Sequence, residues 1–174
     1  MSDPIYQVGE SFVGSGANAA HINTVLGSRS GPVGTAWATA LATPSAGHVP
    51  FMAVVRPGIP VKPPTLFVTK AAPEGDEHGL MIWGPAQAGV AAGVGDELDG
   101  GGALGALDLD QLVLICAVWV NPAANDADEV FRNNREATAT ALRSGALGLP
   151  ATVDVLAARG DVHNPFYTPA TPSM

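Results

Sequence analysis

A chain of 174 residues is long enough to bury one sizeable core, and two independent domains of ordinary size would be cramped in it, so residues 1–174 read as a single domain. Its 8 basic and 16 acidic residues leave a net charge of −8, with no cluster of Lys or Arg to neutralise phosphates, which argues against a nucleic-acid partner. Hydrophobic residues make up 47% and charged residues only 14%, against roughly 25% charged in an average soluble protein, a deficit that points to surface covered by other copies of the chain.

The first elements are short and punctuated by glycine. Ile5 to Val13 alternates polar and apolar residues, Gly14-Ser15-Gly16 breaks the run, and Asn18 to Leu26 resumes it, which predicts a hairpin. A period of two then puts Ala20, Ile22, Thr24 and Leu26 on one face of the second strand and His21, Asn23 and Val25 on the other. Gly31-Pro32 introduces a short helix from Val33 to Ala42, with Pro32 in its first turn. Strands are expected at Val49–Val55 and Thr65–Thr69. The segment between them, Arg56 to Pro64, holds prolines that forbid a regular ladder.

Pro85 to Leu98 predicts a helix of small residues, and Asp99 to Gly105 a flexible insertion. Leu112–Val120 is an unbroken apolar run of the kind found in a central strand buried on both faces. It contains the only cysteine, Cys116, which reads as a small buried hydrophobe. Asp126–Leu147 is the longest helix, with Asp126, Asp128 and Glu129 favourably placed at its N-terminal end and Gly148-Leu149-Pro150 as its stop. Thr152–Leu156 reads as one more strand. His163-Asn164-Pro165-Phe166-Tyr167 is too rich in aromatic residues and proline for an idle tail. The uneven mixture of strands and helices predicts an α+β or mixed α/β fold and not a doubly wound sheet. Met1-Ser2-Asp3-Pro4 has no basic or apolar leader character, and no apolar run reaches the ~18 residues of a membrane span, so the expected location is the cytoplasm.

Most chemical motifs fail on context. Gly14-Ser15-Gly16-Ala17-Asn18-Ala19 approaches a dinucleotide fingerprint, but a strand pattern follows it where a helix is required, and residues 28–46 contain no acid. The four histidines, His21, His48, His78 and His163, lack a second ligand at metal spacing, so no metal is expected. No serine sits in a nucleophile elbow. Spacing alone leaves His21 open between a structural and a catalytic role.

A colinear series of short blocks carries more. Val8-Gly9-Glu10, Val13-Gly14 and Ala20-His21-Ile22 are followed in order by Ala53-Val54, Pro60, Lys62-Pro63, Thr65-Leu66 and Lys70. Then come Gly84-Pro85-Ala86-Gln87, Gly89-Val90-Ala91, Glu136-Ala137-Thr138 and Pro165-Phe166. Taken together they resemble the formaldehyde-activating enzyme family. The resemblance implies a two-layer α+β sandwich similar to the second domain of ribosomal protein S5, assembled as a homopentamer with the ligand between subunits. It also implies condensation of formaldehyde with tetrahydromethanopterin, a reduced pterin co-substrate, in one-carbon metabolism and formaldehyde detoxification, a lyase reaction.

By the same resemblance His21 stands at the family's acid position, and Lys70, Gln87, Met52 and Asn23 at pterin-contacting positions. A histidine suits the chemistry. The carbinolamine formed from an amine and formaldehyde must lose hydroxide, a poor leaving group until an acid of near-neutral pKa protonates it. The match is incomplete. Asn23 replaces an aspartate whose charge would favour the imidazolium, while Ala72, Ala88 and Ser15 stand where the family has polar side chains. Two readings remain open at this point: an enzyme of the family's type, and a non-catalytic paralogue that binds pterin or formaldehyde as a sensor, carrier or regulator.

Overall fold

The computed structural model describes residues 6–170. Strand β1 (Tyr6–Val13) and strand β2 (Ala20–Ser28) form the expected hairpin, paired antiparallel from Tyr6↔Gly27 to Val13↔Ala20. Helix α1 (Pro32–Ala42) follows, with the proline in its first turn. The next region splits into β3 (Phe51–Met52), β4 (Val54–Arg56), β5 (Ile59–Pro60) and β6 (Thr65–Thr69). Helix α2 (Gly75–Met81) runs through a π-helical turn (Ile82–Ala86) into α3 (Gln87–Asp96). Strand β7 (Leu112–Val120), α4 (Ala127–Leu147) and α5 (Thr152–Ala158) complete the order.

Five strands make one sheet in the order β1-β2-β7-β6-β3, antiparallel except for the β6–β7 pair, and β4 with β5 forms a separate two-stranded ribbon. The fold is mixed α+β. One face of the sheet packs on α3 and α4. Ile22, Leu26, Phe67, Leu114, Cys116 and Val118 meet Val90, Val94, Val130, Ala137, Ala141 and Leu142 there in a single buried cluster. The Cys116 thiol is enclosed in it, and burial pushes its pKa up to about 12, as expected of an inert core cysteine. The opposite face carries Val113, Ile115, Ala117 and Trp119 of β7, and helix α1 covers only the Val113 end of it.

Helix α4 fixes the sheet because its inner face is small. Ala137, Ala141 and Gly145 recur at four-residue spacing, one above another on the helix surface, and the backbone of β1 lies directly on them. A Cβ added to Gly9 would stand 1.8 Å from the carbonyl oxygen of Ala141. The helix begins where it should, with the Asp126 carboxylate accepting from the Glu129 N–H at 2.9 Å, and ends on Gly148 in the left-handed region at φ 64°.

Four local expectations change. Thr152–Leu156 lies in helix α5, not a strand. Its five-residue alternation is too short to decide the matter, and the carboxylate of Asp154 accepts from the Ala151 N–H at 3.0 Å, closing a helical first turn ahead of Leu156-Ala157-Ala158. The Pro85 helix is broken by the π turn, where the proline has no N–H to give and five-residue spacing tolerates its ring. Pro60 does join a ladder, but only in the two-residue ribbon opposite Val54. The glycine-rich stretch 99–105 is ordered around the buried carboxylate of Glu97, which accepts from the Ala103 N–H at 2.9 Å and pairs with Arg143 at 2.6 Å, while Leu104 plugs into the core.

The contact between Gly9 and α4 gives a direct test. Replacing Gly9 with Ala should cost about 3 kcal/mol, the upper end of what overpacking a close contact costs. Thermal unfolding should show a fall of several degrees, and an unchanged midpoint would mean that β1 and α4 are not so close.

Candidate active site

The site lies at the end of the sheet where β1 finishes, β2 begins, and β7 and β6 finish. Directly paired residues project to the same face, so the register Phe12↔His21↔Trp119 lines three rings across three strands on the face away from α3 and α4. Glu10 faces Asn23 one step along. From that diagonal position it reaches back, and its Oε1 lies 2.9 Å from His21 Nε2. Lys70 continues the β6 ladder by donating its N–H to the Val118 carbonyl, and its Nζ donates to the carbonyl of His21 at 3.3 Å.

What holds this corner in place is Asn18. Its side-chain oxygen accepts from the N–H groups of Asn125 and Asp126, its amide donates to Glu129 at 2.8 Å, and its carbonyl accepts from Asn133. The β1–β2 turn is thereby bolted to the start of α4.

The remaining wall comes from the far end of the chain. Phe166 rests edge-on against Trp119 at 5.3 Å and against Phe12 at 6.5 Å. With His163, Asn164 and Pro165 it closes a cavity of about 460 Å³ over Glu10, Phe12 and His21. The segment is shaped by its own turn, in which the Asn164 and Tyr167 backbones bond reciprocally.

Three titratable groups meet at this end of the sheet, Glu10 and His21 in the cavity wall and Lys70 against the His21 backbone. Burial lowers the pKa of His21, the Lys70 ammonium lowers it further, and Glu10 opposes both through its charge and its hydrogen bond. Burial also brings Lys70 from its ordinary 10.5 to about 8, again with Glu10 opposing. The carboxylate is therefore the one of these influences that favours the imidazolium.

The expected site residues are distributed unevenly. His21, Asn23 and Lys70 come together at this end of the open face. Met52 lies on the edge strand of the same sheet and lines a second hollow of about 390 Å³ with Arg29, Trp37, Pro64 and Val113. Gln87 begins α3 and donates its amide to the Val54 carbonyl at 2.9 Å. Neither lines the His21 cavity. Ala72, Ala88 and Ser15 are exposed and stand apart from it. Two other histidines prove structural. His78, fully buried, accepts at Nδ1 from the Glu74 N–H and bonds the Val120 carbonyl through Nε2, and His48 bonds the Thr69 carbonyl. Among the described residues, no three His, Cys, Asp or Glu side chains gather as metal ligands do.

Glu10, Phe12, Trp119 and Phe166 were not singled out as site residues from the sequence. The signal for the first two was the turn length. Once Val13 is paired with Ala20, Phe12 must face His21 and Glu10 must lie on its diagonal. Phe166 had a signal in the aromatic, proline-rich segment 163–167, which marked the segment but not its place at the site, and Trp119 inside the apolar run of β7 had none.

Fold and site thus define a small α+β protein with a carboxylate-supported histidine at one end of an open sheet face. Residues 8–167 match the formaldehyde-activating enzyme family, and the chain belongs to that family. It is 38% identical over 152 residues to the bifunctional enzyme Fae/Hps of Methanosphaerula palustris, covering 87% of this chain and 38% of that protein. To the protein of the same name from Methanosarcina barkeri it is 36% identical, with the same coverage of both chains. To that of Methanoregula boonei it is 41% identical over 138 residues, 79% of this chain and 35% of the other. The chain spans well under half the length of these curated relatives.

The opposed influences on His21 predict opposite titrations. Glu10→Gln should lower the His21 pKa further, because the only favourable charge is gone, and Lys70→Gln should raise it, because a like charge is gone. The imidazole C–H resonances of His21 followed by NMR over a pH series report both. Two unchanged titration curves would show that the three groups do not interact.

Proposed function

We propose that this chain condenses formaldehyde with tetrahydromethanopterin, giving methylene-tetrahydromethanopterin and water, with His21 as the general acid. The observation that carries the reading is the His21–Glu10 pair inside an aromatic-walled cavity whose volume falls in the range of small-molecule sites. A pterin amine adds to formaldehyde unaided and forms a carbinolamine. Loss of its hydroxyl is the step that needs help. The imidazolium of His21 donates its proton to that oxygen, water departs, and the neutral imidazole is reprotonated beside Glu10. Phe12, Trp119 and Phe166 offer flat apolar surface to a ring system and keep the reacting carbon away from bulk water.

Lys70 and Asn23 would meet polar parts of the pterin from the same sheet face. Met52 and Gln87, which lie away from His21 within one chain, would do so from a neighbouring copy. Their separation supports a homo-oligomer, pentameric as the family resemblance implies, with its ligand sites at subunit junctions. Among the described residues no helix is long and apolar enough to cross a membrane, and a cytoplasmic location accords with a soluble pterin substrate. A lyase assignment follows from the release of water.

The rival reading, a non-catalytic binder of pterin or formaldehyde, draws on Ala72, Ala88 and Ser15, which remove polar groups without touching the core. Asn23 argues for it less than the sequence suggests, because Glu10 already provides a carboxylate to the imidazole. The discriminating measurement is methylene-pterin formation above the spontaneous rate. We expect His21→Ala to remove the acceleration, a loss of about 10²–10⁴-fold for a general acid, while pterin binding persists. A wild-type rate equal to the spontaneous one would favour the binder.

A further inference from the structure

The chain has two lysines, Lys62 and Lys70, and the structure treats them differently. Lys62 is exposed and paired with Asp110 at 2.5 Å. Lys70 is half-buried, and its ammonium meets a backbone carbonyl, that of His21. Among the described residues no carboxylate lies at salt-bridge distance from it, since Glu10 is engaged by His21. Two charged groups act on it from farther across the sheet, Glu10 from β1 and His21 from β2, and the intervening β7 presents the uncharged Val118 and Trp119. With a pKa of about 8, Lys70 holds roughly a tenth of its population as free amine near pH 7, whereas an ordinary lysine holds almost none. The amine of Lys70 thus lies against the backbone of the acid, His21, whose side chain lines the cavity.

We propose that Lys70 is a covalent acceptor of formaldehyde, holding the one-carbon unit on its Nζ before it passes to the substrate amine. This deepens the function proposed above and rests on it. The Nζ lone pair attacks the carbonyl carbon, a C–N bond forms, and the amine proton moves to the former carbonyl oxygen, giving hydroxymethyl-lysine. His21 protonates that hydroxyl, the C–O bond breaks, water leaves, and the nitrogen lone pair closes a methylene iminium. The substrate amine then adds to the methylene carbon. A proton passes to the lysine nitrogen, the bond to Nζ breaks, and the lone pair of the substrate nitrogen closes a new iminium as Lys70 departs as a free amine. No oxidant or reductant is consumed. His21 serves the single dehydration, and the lysine loads the carbon beside it.

The test traps the iminium in the full chain without any pterin. The protein is treated with limiting formaldehyde and cyanoborohydride, and peptide mass spectrometry reads methylation at Lys70 and, as the internal control, at Lys62. At neutral pH Lys70 should be methylated about tenfold or more faster than Lys62, and the preference should shrink as pH rises toward the ordinary lysine range. In His21→Ala, labelling of Lys70 should slow while that of Lys62 holds. Equal or slower labelling of Lys70 in the wild-type protein overturns the proposal, and this comparison requires no variant to fold. Methylene-pterin formation measured alongside separates the two readings. Acceleration with no trapped Lys70 leaves the condensation standing and removes the covalent step, whereas trapped Lys70 with no acceleration keeps the formaldehyde adduct and removes the condensation.

Discussion

Everything at the candidate site depends on the register of one hairpin. The pairing of Val13 with Ala20 places Phe12 across from His21 and Glu10 on its diagonal, and a slip of one residue would turn His21 inward to where Ile22 now sits. The site itself does not fix that register. A part-exposed ion pair such as Glu10–His21 is worth about 0.2–1 kcal/mol, whereas each buried aliphatic side chain of β2 contributes about 1.5–3 kcal/mol. Ile22 and Leu26 set the strand, the Asn18 anchor sets its end, and the acid–base pair inherits its geometry from both.

The electrostatics of the pocket follow from one carboxylate serving two bases. His21 and Lys70 both lose ionisation to burial, and each repels the other's proton, while Glu10 steadies either. Protonation of one disfavours protonation of its neighbour, so their titrations belong to the pair. With the pKa of Lys70 at about 8 and that of His21 below its ordinary value, the lysine holds the proton more readily, and the proposed covalent step draws on the minor state with the proton on His21 and none on Lys70. Glu10 favours it directly, since it is the imidazole and not the ammonium that lies at hydrogen-bond distance. Asn23, directly opposite Glu10, fits the same logic. A second carboxylate there would face the first across the strand pair, and like charges at that position repel.

Much of the fold was legible in the residues. The nine-residue apolar run of β7, the proline-led helix α1 and the acid-capped, glycine-stopped α4 all lie where pattern and capping put them. The alternation of β2 separated Ile22 from His21 correctly. What was not legible depended on long-range partners or competing local preferences. Five residues from Thr152 suit a strand or a helix equally until Asp154 caps the turn. The glycines after Glu97 read as slack because nothing local shows that a buried carboxylate gathers their loop. At the site, His21 and Lys70 were found through family blocks. Glu10 needed the register, and Trp119 and Phe166 needed the tertiary fold that brings residues 119 and 166 to the strand begun at residue 20.

The C-terminal segment shows why so little charge is tolerable in this sequence. Val153, Val155, Leu156, Phe166 and Tyr167 are all more than half exposed, although they are the types that a folded chain prefers to bury. Phe166 nevertheless holds the outer wall of the cavity through two edge-on aromatic contacts, each worth about 0.5–1.5 kcal/mol beyond area burial, against the entropy of ordering a segment otherwise open to solvent. Those contacts alone are a weak clasp. A neighbouring copy laid over the same apolar residues would remove them from water and press Phe166 onto Trp119 and Phe12. On the homo-oligomer proposed above, assembly would then tighten the wall around His21 and bring Met52 and Gln87 to it from adjoining copies.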